Sequence, residues 1–261
     1  MHTEKDIQKK VSDTKRHYAE TPFDFGEIIR EQIFKREFVY DLFQEQDYSD
    51  KTIVDVGCGT AFIGRYLREH HPTYQYLGID VSPEAVRIAR ASGMNVVEGN
   101  NLKLALRNEF SELTISDGVI HHTPLPFCAF KELIRITKKG GLINLYVYKK
   151  YHLYHFIYLA TLPVRWLYRT HLGKNIVENI IFPVFDICYV QLGNRLYFKN
   201  DFRVPRRASW SIFADQILTP VAHFFSNDDI VSFAEQYGLE LLRHRMSING
   251  QGLQFLFRRR L

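Results

Sequence analysis

Between residues 52 and 148, short apolar runs alternate with amphipathic ones. This rhythm limits the folds open to the chain more than any other feature. "TIVDV" (52–56), "YQYLGID" (74–80), "NVVEG" (95–99), "LTISDGV" (113–119) and "LINLYVY" (142–148) read as strands. "AFIGRYLREHH" (61–71), "SPEAVRIARASG" (82–93) and "PFCAFKELIRITKKGG" (126–141) read as the helices between them. Phe62, Tyr66 and Leu67 share one face of the first helix. In the second, Ser82 suits the N-cap, Pro83 the first turn and Gly93 the C-terminal stop. Lys-Lys-Gly-Gly is the expected stop of the third. Strands joined by such helices form right-handed βαβ units, hence a parallel sheet with helices on both faces.

The flanks depart from that rhythm. Residues 1–48 read as a polar helical cap, interrupted by "YAETPFDFG" (18–26). The alternation lapses over 149–225, a largely helical insertion. It resumes with "SNDDIVSFAEQYGL" (226–239), which Ser226 or Asn227 can cap, and two closing strand-like segments, "LELLRHRMS" and "LQFLFRRR". The expected architecture is α/β, with a seven-stranded, mostly parallel sheet. Its core is 49–148 and 226–261, with a cap over 1–48 and a lid over 149–225.

Composition narrows the function classes. The chain has 261 residues, 46% of them hydrophobic, and a net charge of +5. That charge allows an anionic substrate without demanding one. Cys58, Cys128 and Cys188 are far apart and in no CxxC spacing, so neither a disulfide scaffold nor a metal site is expected. The polar start "MHTEKDIQKK" does not read as a secretory signal, and a cytoplasmic location is the expectation. The nearest approach to a spanning helix is "YHLYHFIYLATLPVRWLY" (151–168), where Pro163, Arg165 and two histidines favour a buried or interfacial segment.

In an open parallel sheet, ligands bind beyond the carboxyl ends of the strands. Gly57 and Gly59 follow the first strand, where bare backbone can approach a ligand. Asp80 ends the second strand, and an acid there can accept hydrogen bonds from both hydroxyls of a ribose. A dinucleotide fingerprint would want glycine at 62, which is Phe62. Asp55 would repel a pyrophosphate but can grip an ammonium group. The pocket therefore reads as one for a nucleoside with a cationic amino-acid end.

"VDVGCGTAFIG", "LGIDVSPEAVRIARA", "VVEGNN", "SDGVIHHTP" and "ELIRITKKGGLINLYVY" resemble, in order and spacing, the successive motifs of class I S-adenosylmethionine-dependent methyltransferases. The resemblance covers roughly half the chain. It implies a Rossmann-like core, S-adenosylmethionine as cofactor and S-adenosylhomocysteine as product. By resemblance, Asp55, Gly57 and Gly59 hold the methionine end, and Cys58 and Thr60 also bind the cofactor. Asp80 binds the ribose, Val81 flanks the adenine, Asn100 stands where the family often has an acid facing the adenine amino group, and Asn101 also binds the cofactor. Ala61 replaces a third glycine common in the first motif. Ser116 and Asp117 line the cofactor, with Tyr18 and Phe23 covering it. His121 and His122 lie near the transferring methyl, and one is expected to act as general base, His121 preferred.

The insertion holds 16 of the 37 aromatic residues, and ten Lys/Arg against four Asp/Glu. That suggests a pocket for a flat or greasy molecule bearing negative charge. Tyr148, Trp166, Trp210, Arg203, Arg206 and Arg207 are its candidate contacts. The preferred reading is methylation of a small molecule at O or N, with C also open. The rivals are an RNA methyltransferase and a cofactor-binding homologue without activity. Nucleic acid is the less expected partner, because no RNA-binding module is recognisable. Peripheral membrane contact through the insertion and a homodimer both stay open.

Overall fold

The structure is a computed structural model that describes residues 3–23, 26–247 and 249–261. Asp24 and Phe25 of the "YAETPFDFG" segment lie outside the described residues. In chain order the strands are β1 (Thr52–Val56), β2 (Gln75–Asp80), β3 (Val96–Glu98), β4 (Ser111–Asp117), β5 (Thr137–Tyr148), β6 (Leu239–Met246) and β7 (Gly252–Arg259). They form one seven-stranded sheet in the order β3-β2-β1-β4-β5-β7-β6. The first five strands are parallel and β7 pairs antiparallel with both β5 and β6. Strand order reverses beside β1, so the edge beyond β1 and β4 is the switch point where such sheets take ligands.

Helices α1 (Glu4–Glu20), α2 (Glu27–Phe34) and α3 (Phe38–Glu45) precede the sheet. Between strands run α4 (Phe62–His70), α5 (Pro83–Ala91) and α6 (Pro126–Ile136). Alternate residues of the strands serve opposite faces. Ile53, Leu113 and Ile115 pack with Phe34, Val39 and Leu42 of α2 and α3. Val54, Ile143 and Phe255 pack on the other side with Phe130 and Leu133 of α6. Ser82 caps α5, its hydroxyl accepting from the Ala85 amide at 3.2 Å.

The Lys-Lys-Gly-Gly run does not extend the helix that precedes it. Helix α6 stops at Ile136 and β5 already begins at Thr137. The cause is the Thr137 hydroxyl, which donates to the Leu133 carbonyl at 2.7 Å and meets Thr114 Oγ1 at 2.6 Å. It finishes the last helical turn and pins the chain to β4 in one move. Gly140, at φ +75°, then absorbs an irregularity within the strand.

The insertion is helical. It contains α7 (Leu153–Ala160), α8 (Leu162–Leu167), one long helix α9 (His171–Phe198) and α10 (Arg206–Phe213). Helix α9 includes two π-helical stretches, Val177–Ile181 and Asp186–Gln191, and α10 runs into a third, Ala214–Leu218. By length and composition α9, and not 151–168, comes nearest to a spanning helix. After the insertion, α11 (Asn227–Gln236) starts in a capping box between Ser226 and Asp229.

Candidate active site

The turn after β1 bends back beneath β2. Gly57 has φ +81°, and the amides of Gly57 and Cys58 both donate to the Ile79 carbonyl, at 2.6 and 3.1 Å. A Cβ at Gly57 would lie 2.2 Å from Val119 Cγ2. Gly59 differs: at φ +54°, a Cβ there would meet nothing within 4 Å. One glycine is demanded by packing, the other by conformation beside an open space. Ala61 also adopts the left-handed conformation, at φ +59°.

Asp55 is buried at 3% exposure and accepts a 2.9 Å hydrogen bond from the Tyr76 hydroxyl. Burial pushes its carboxyl up to about 7, against the pull of that hydroxyl, and the charge of Asp117 adds to the rise. Asp80 accepts from the Gly59 amide through Oδ2 and the Ser82 amide through Oδ1, both at 2.8 Å. Burial raises this carboxyl too, with the backbone amides opposing. Asn100 Oδ1 accepts from the Leu102 amide at 2.9 Å, so the oxygen expected to meet an adenine is already engaged by its own turn.

These residues open on one large cavity of about 910 Å³. Its wall includes Asp55, Gly57, Cys58, Gly59, Thr60, Asp80, Val81, Asn100, Asn101 and Asp117, and Tyr18 and Phe23 from the N-terminal segment. Ser116 is an exception. It is wholly buried inside β4, is not part of the cavity wall, and its hydroxyl finds no partner. The donor set suits a nucleoside with an ammonium end: an acid at the close of β2, open backbone at Gly59, and a buried carboxylate at Asp55.

The histidines divide differently from expectation. His121 is wholly buried, with its ring centroid 3.8 Å from that of Tyr148, and it is not part of the cavity wall. Burial depresses its pKa well below the usual histidine value, and neighbouring His122 and His223 add to this. His122 does line the cavity. Its Nδ1 lies 2.8 Å from the Val221 carbonyl. A carbonyl only accepts, so Nδ1 carries the proton and Nε2 is the basic nitrogen. Nε2 faces Asp215 Oδ1 at 3.5 Å. Asp215 also accepts from the hydroxyls of Tyr18 and Tyr148, each at 2.8 Å.

Asp215 was not foreseen, although it is the one acid between Asp201 and Asp228, in the otherwise apolar "SIFADQILTP". Nor was Arg30 of α2, which joins Glu37 at 2.7 Å and Asp117 at 2.9 Å on the same wall. Nothing in "GEIIREQIF" distinguishes that arginine from a solvated helical charge.

Of the expected acceptor contacts, only Tyr148 and Arg207 reach the wall. Trp166 is 69% exposed. Trp210 packs edge-on against Phe182 in the core of the insertion. Arg203 pairs with Asp186 at 3.4 Å at the surface, and Arg206 lies over the Phe182 ring at 5.1 Å. Helix α10 turns Arg206 and Arg207 to different sides, which adjacent residues on a helix must do.

Residues 54–145 match the family model described as a methyltransferase domain. The bovine "Probable tRNA methyltransferase 9B" is 35% identical over 109 residues, which are 41% of this chain and 23% of that protein. The malonyl-[acyl-carrier protein] O-methyltransferase of Herminiimonas arsenicoxydans is 34% identical over 89 residues, 34% of each chain. The chain thus spans about a quarter to a third of the curated relatives' length. Among solved structures, a Haloferax volcanii methyltransferase complexed with the Trm112 activator superposes with TM-score 0.56 and 14% identity, over 90% of this chain and 93% of that one. Residues 54–145 thus form a methyltransferase domain, in a fold shared with solved S-adenosylmethionine-dependent methyltransferases. Its cofactor is S-adenosylmethionine.

Proposed function

We propose that this protein methylates a small acceptor enclosed in the cavity. The observation that carries the reading is the cavity's continuity. About 910 Å³ runs from the glycine turn to the insertion helices, the upper end of the range for small-molecule sites. That volume accommodates a nucleoside cofactor with a second reactant beside it. When bound, S-adenosylmethionine supplies an electrophilic methyl group. Asp55, Gly57 and Gly59 would hold its amino-acid end and Asp80 its ribose, and Val81 would flank its base.

The chain's own chemistry is proton removal and positioning. His122 Nε2 is the candidate base for an O–H or N–H acceptor. The imidazolium formed would be stabilised by Asp215, itself held by Tyr18 and Tyr148. The arrangement keeps the imidazole in one tautomer and supplies a counter-charge when the proton arrives. Arg207 offers a cation to an anionic group of the acceptor, while Ile157, Leu192 and Leu196 offer apolar wall.

Similarity to proteins named for tRNA favours a second reading, in which the acceptor is an RNA base. The apolar walls support the small-molecule reading instead. The test is incubation of the full chain with methyl-labelled S-adenosylmethionine and either a metabolite and lipid extract or total tRNA. Label in a small molecule supports the proposal, and label in tRNA alone overturns it. His122→Ala should lower turnover by about 10²-fold with cofactor affinity nearly unchanged.

A further inference from the structure

Most of the large apolar side chains exposed among the described residues belong to the insertion. Between 153 and 167 every exposed residue is apolar, from Leu153 and Phe156 through Leu159 and Leu162 to Trp166. Along α9, every fourth residue from Leu172 to Leu196 is a leucine, isoleucine, valine or cysteine, and all but Ile176 are exposed. A regular α-helix would wind such a stripe around its axis, because its period is about 3.6 residues. The two π-helical stretches wind more slowly and keep the stripe straighter. The opposite side, including Val177, Phe182 and Val190, is buried against the protein. Helix α9 therefore lies flat on the protein with an apolar side outward, instead of passing through a bilayer.

Three further observations say what covers this face. Leu153 of α7 and Leu192 and Leu196 of α9 are exposed and also line the cavity, so its mouth opens among these apolar side chains. Trp166 and Tyr151, at 69% and 72% exposure, are the aromatic types that sit at a lipid headgroup boundary. The insertion also carries ten Lys/Arg against four Asp/Glu. A second copy would bring the same positive excess against it, whereas an anionic lipid surface complements it. We propose that α7, α8 and α9 seat the protein on an anionic bilayer, with the cavity mouth turned toward the lipid. Resting on the methyl-transfer reading, the acceptor class follows: an amphiphile whose apolar part stays near the bilayer while its polar end enters the cavity.

The test is flotation of the full chain with vesicles of phosphatidylcholine alone or with a quarter phosphatidylglycerol. The wild type should float with the mixed vesicles and lose most of that binding in the neutral ones. The double variant Ile180→Glu/Val184→Glu should bind mixed vesicles at least about tenfold less. Neither position lines the cavity, so its melting temperature and its affinity for S-adenosylmethionine should match the wild type. Wild type that stays in the aqueous fraction with both vesicles overturns the seat. So does a variant that floats equally well. A wild-type dimer that the variant splits, without lipid binding, assigns the face to self-association instead. Cofactor affinity is measured separately, so failure of the seat and failure of the methyl-transfer reading are distinguishable.

Discussion

Asp55→Asn separates the needs of the fold from those of the cofactor. The wild-type carboxyl is buried, and its pKa is raised from 3.8 to about 7. A raised acid favours the folded state when protonated. Its contribution is therefore fully present below pH 4 and lost as pH rises through 7. A rise from 3.8 to about 7 corresponds to about 4 kcal/mol, of which about 3 kcal/mol falls between pH 5 and pH 8. Asparagine has nearly the same shape, and its amide oxygen can still accept the Tyr76 hydroxyl. In urea unfolding without cofactor, the variant should therefore lose about 3 kcal/mol less than wild type between those two pH values. Binding should move the other way. Loss of a charge-assisted bond to the ammonium end costs about 1.5–3 kcal/mol, or tenfold to a hundredfold in Kd by calorimetry. Equal pH slopes in the two proteins would refute the buried-charge argument. An unchanged Kd would refute the ammonium assignment.

Asp80→Ala should weaken S-adenosylmethionine binding at least about tenfold by calorimetry, and also lower the melting temperature, because the Gly59 and Ser82 amides lose their acceptor. Gly57→Ala should destabilise by at least about 2 kcal/mol in denaturant melts, given the clash with Val119. Gly59→Ala should cost only about 1 kcal/mol for its conformation, yet impair cofactor binding through the methyl placed in open space. Arg207→Ala should raise the acceptor KM without changing cofactor Kd. Arg206→Ala should leave both unchanged and shift stability by no more than about 1 kcal/mol, the scale of its contact with Phe182.

The core was legible because its signals are local. Ser82, Pro83 and Gly93 punctuate α5 within one short segment, and the turn glycines follow directly on β1. Strand-end positions then share one edge by the geometry of parallel sheets. The Thr137 boundary was hidden because it depends on Thr114, a partner from another strand. The acceptor side was hidden for the same reason. Which of His121 and His122 meets the cavity depends on Val221 and Asp215, both from the insertion and about a hundred residues away. Composition marked the insertion as aromatic and basic, but it could not say that Trp210 faces inward and Trp166 outward.

Tyr18 ties the two halves of the cavity together. Its backbone carbonyl accepts from Ser82 Oγ at 2.9 Å, at the cap of α5, and its hydroxyl donates to Asp215 in the insertion. Helix α1 is thus fastened like a latch on both sides, and cofactor that leaves past it must first break these bonds. Spent cofactor should then depart slowly, and turnover should show a burst of methylated product followed by a slower steady rate. Tyr18→Phe keeps the ring and removes one fastening worth about 1 kcal/mol. It should speed S-adenosylhomocysteine release severalfold in stopped-flow measurements. The helix that reads as a polar preface to the domain would then set the pace of its cycle.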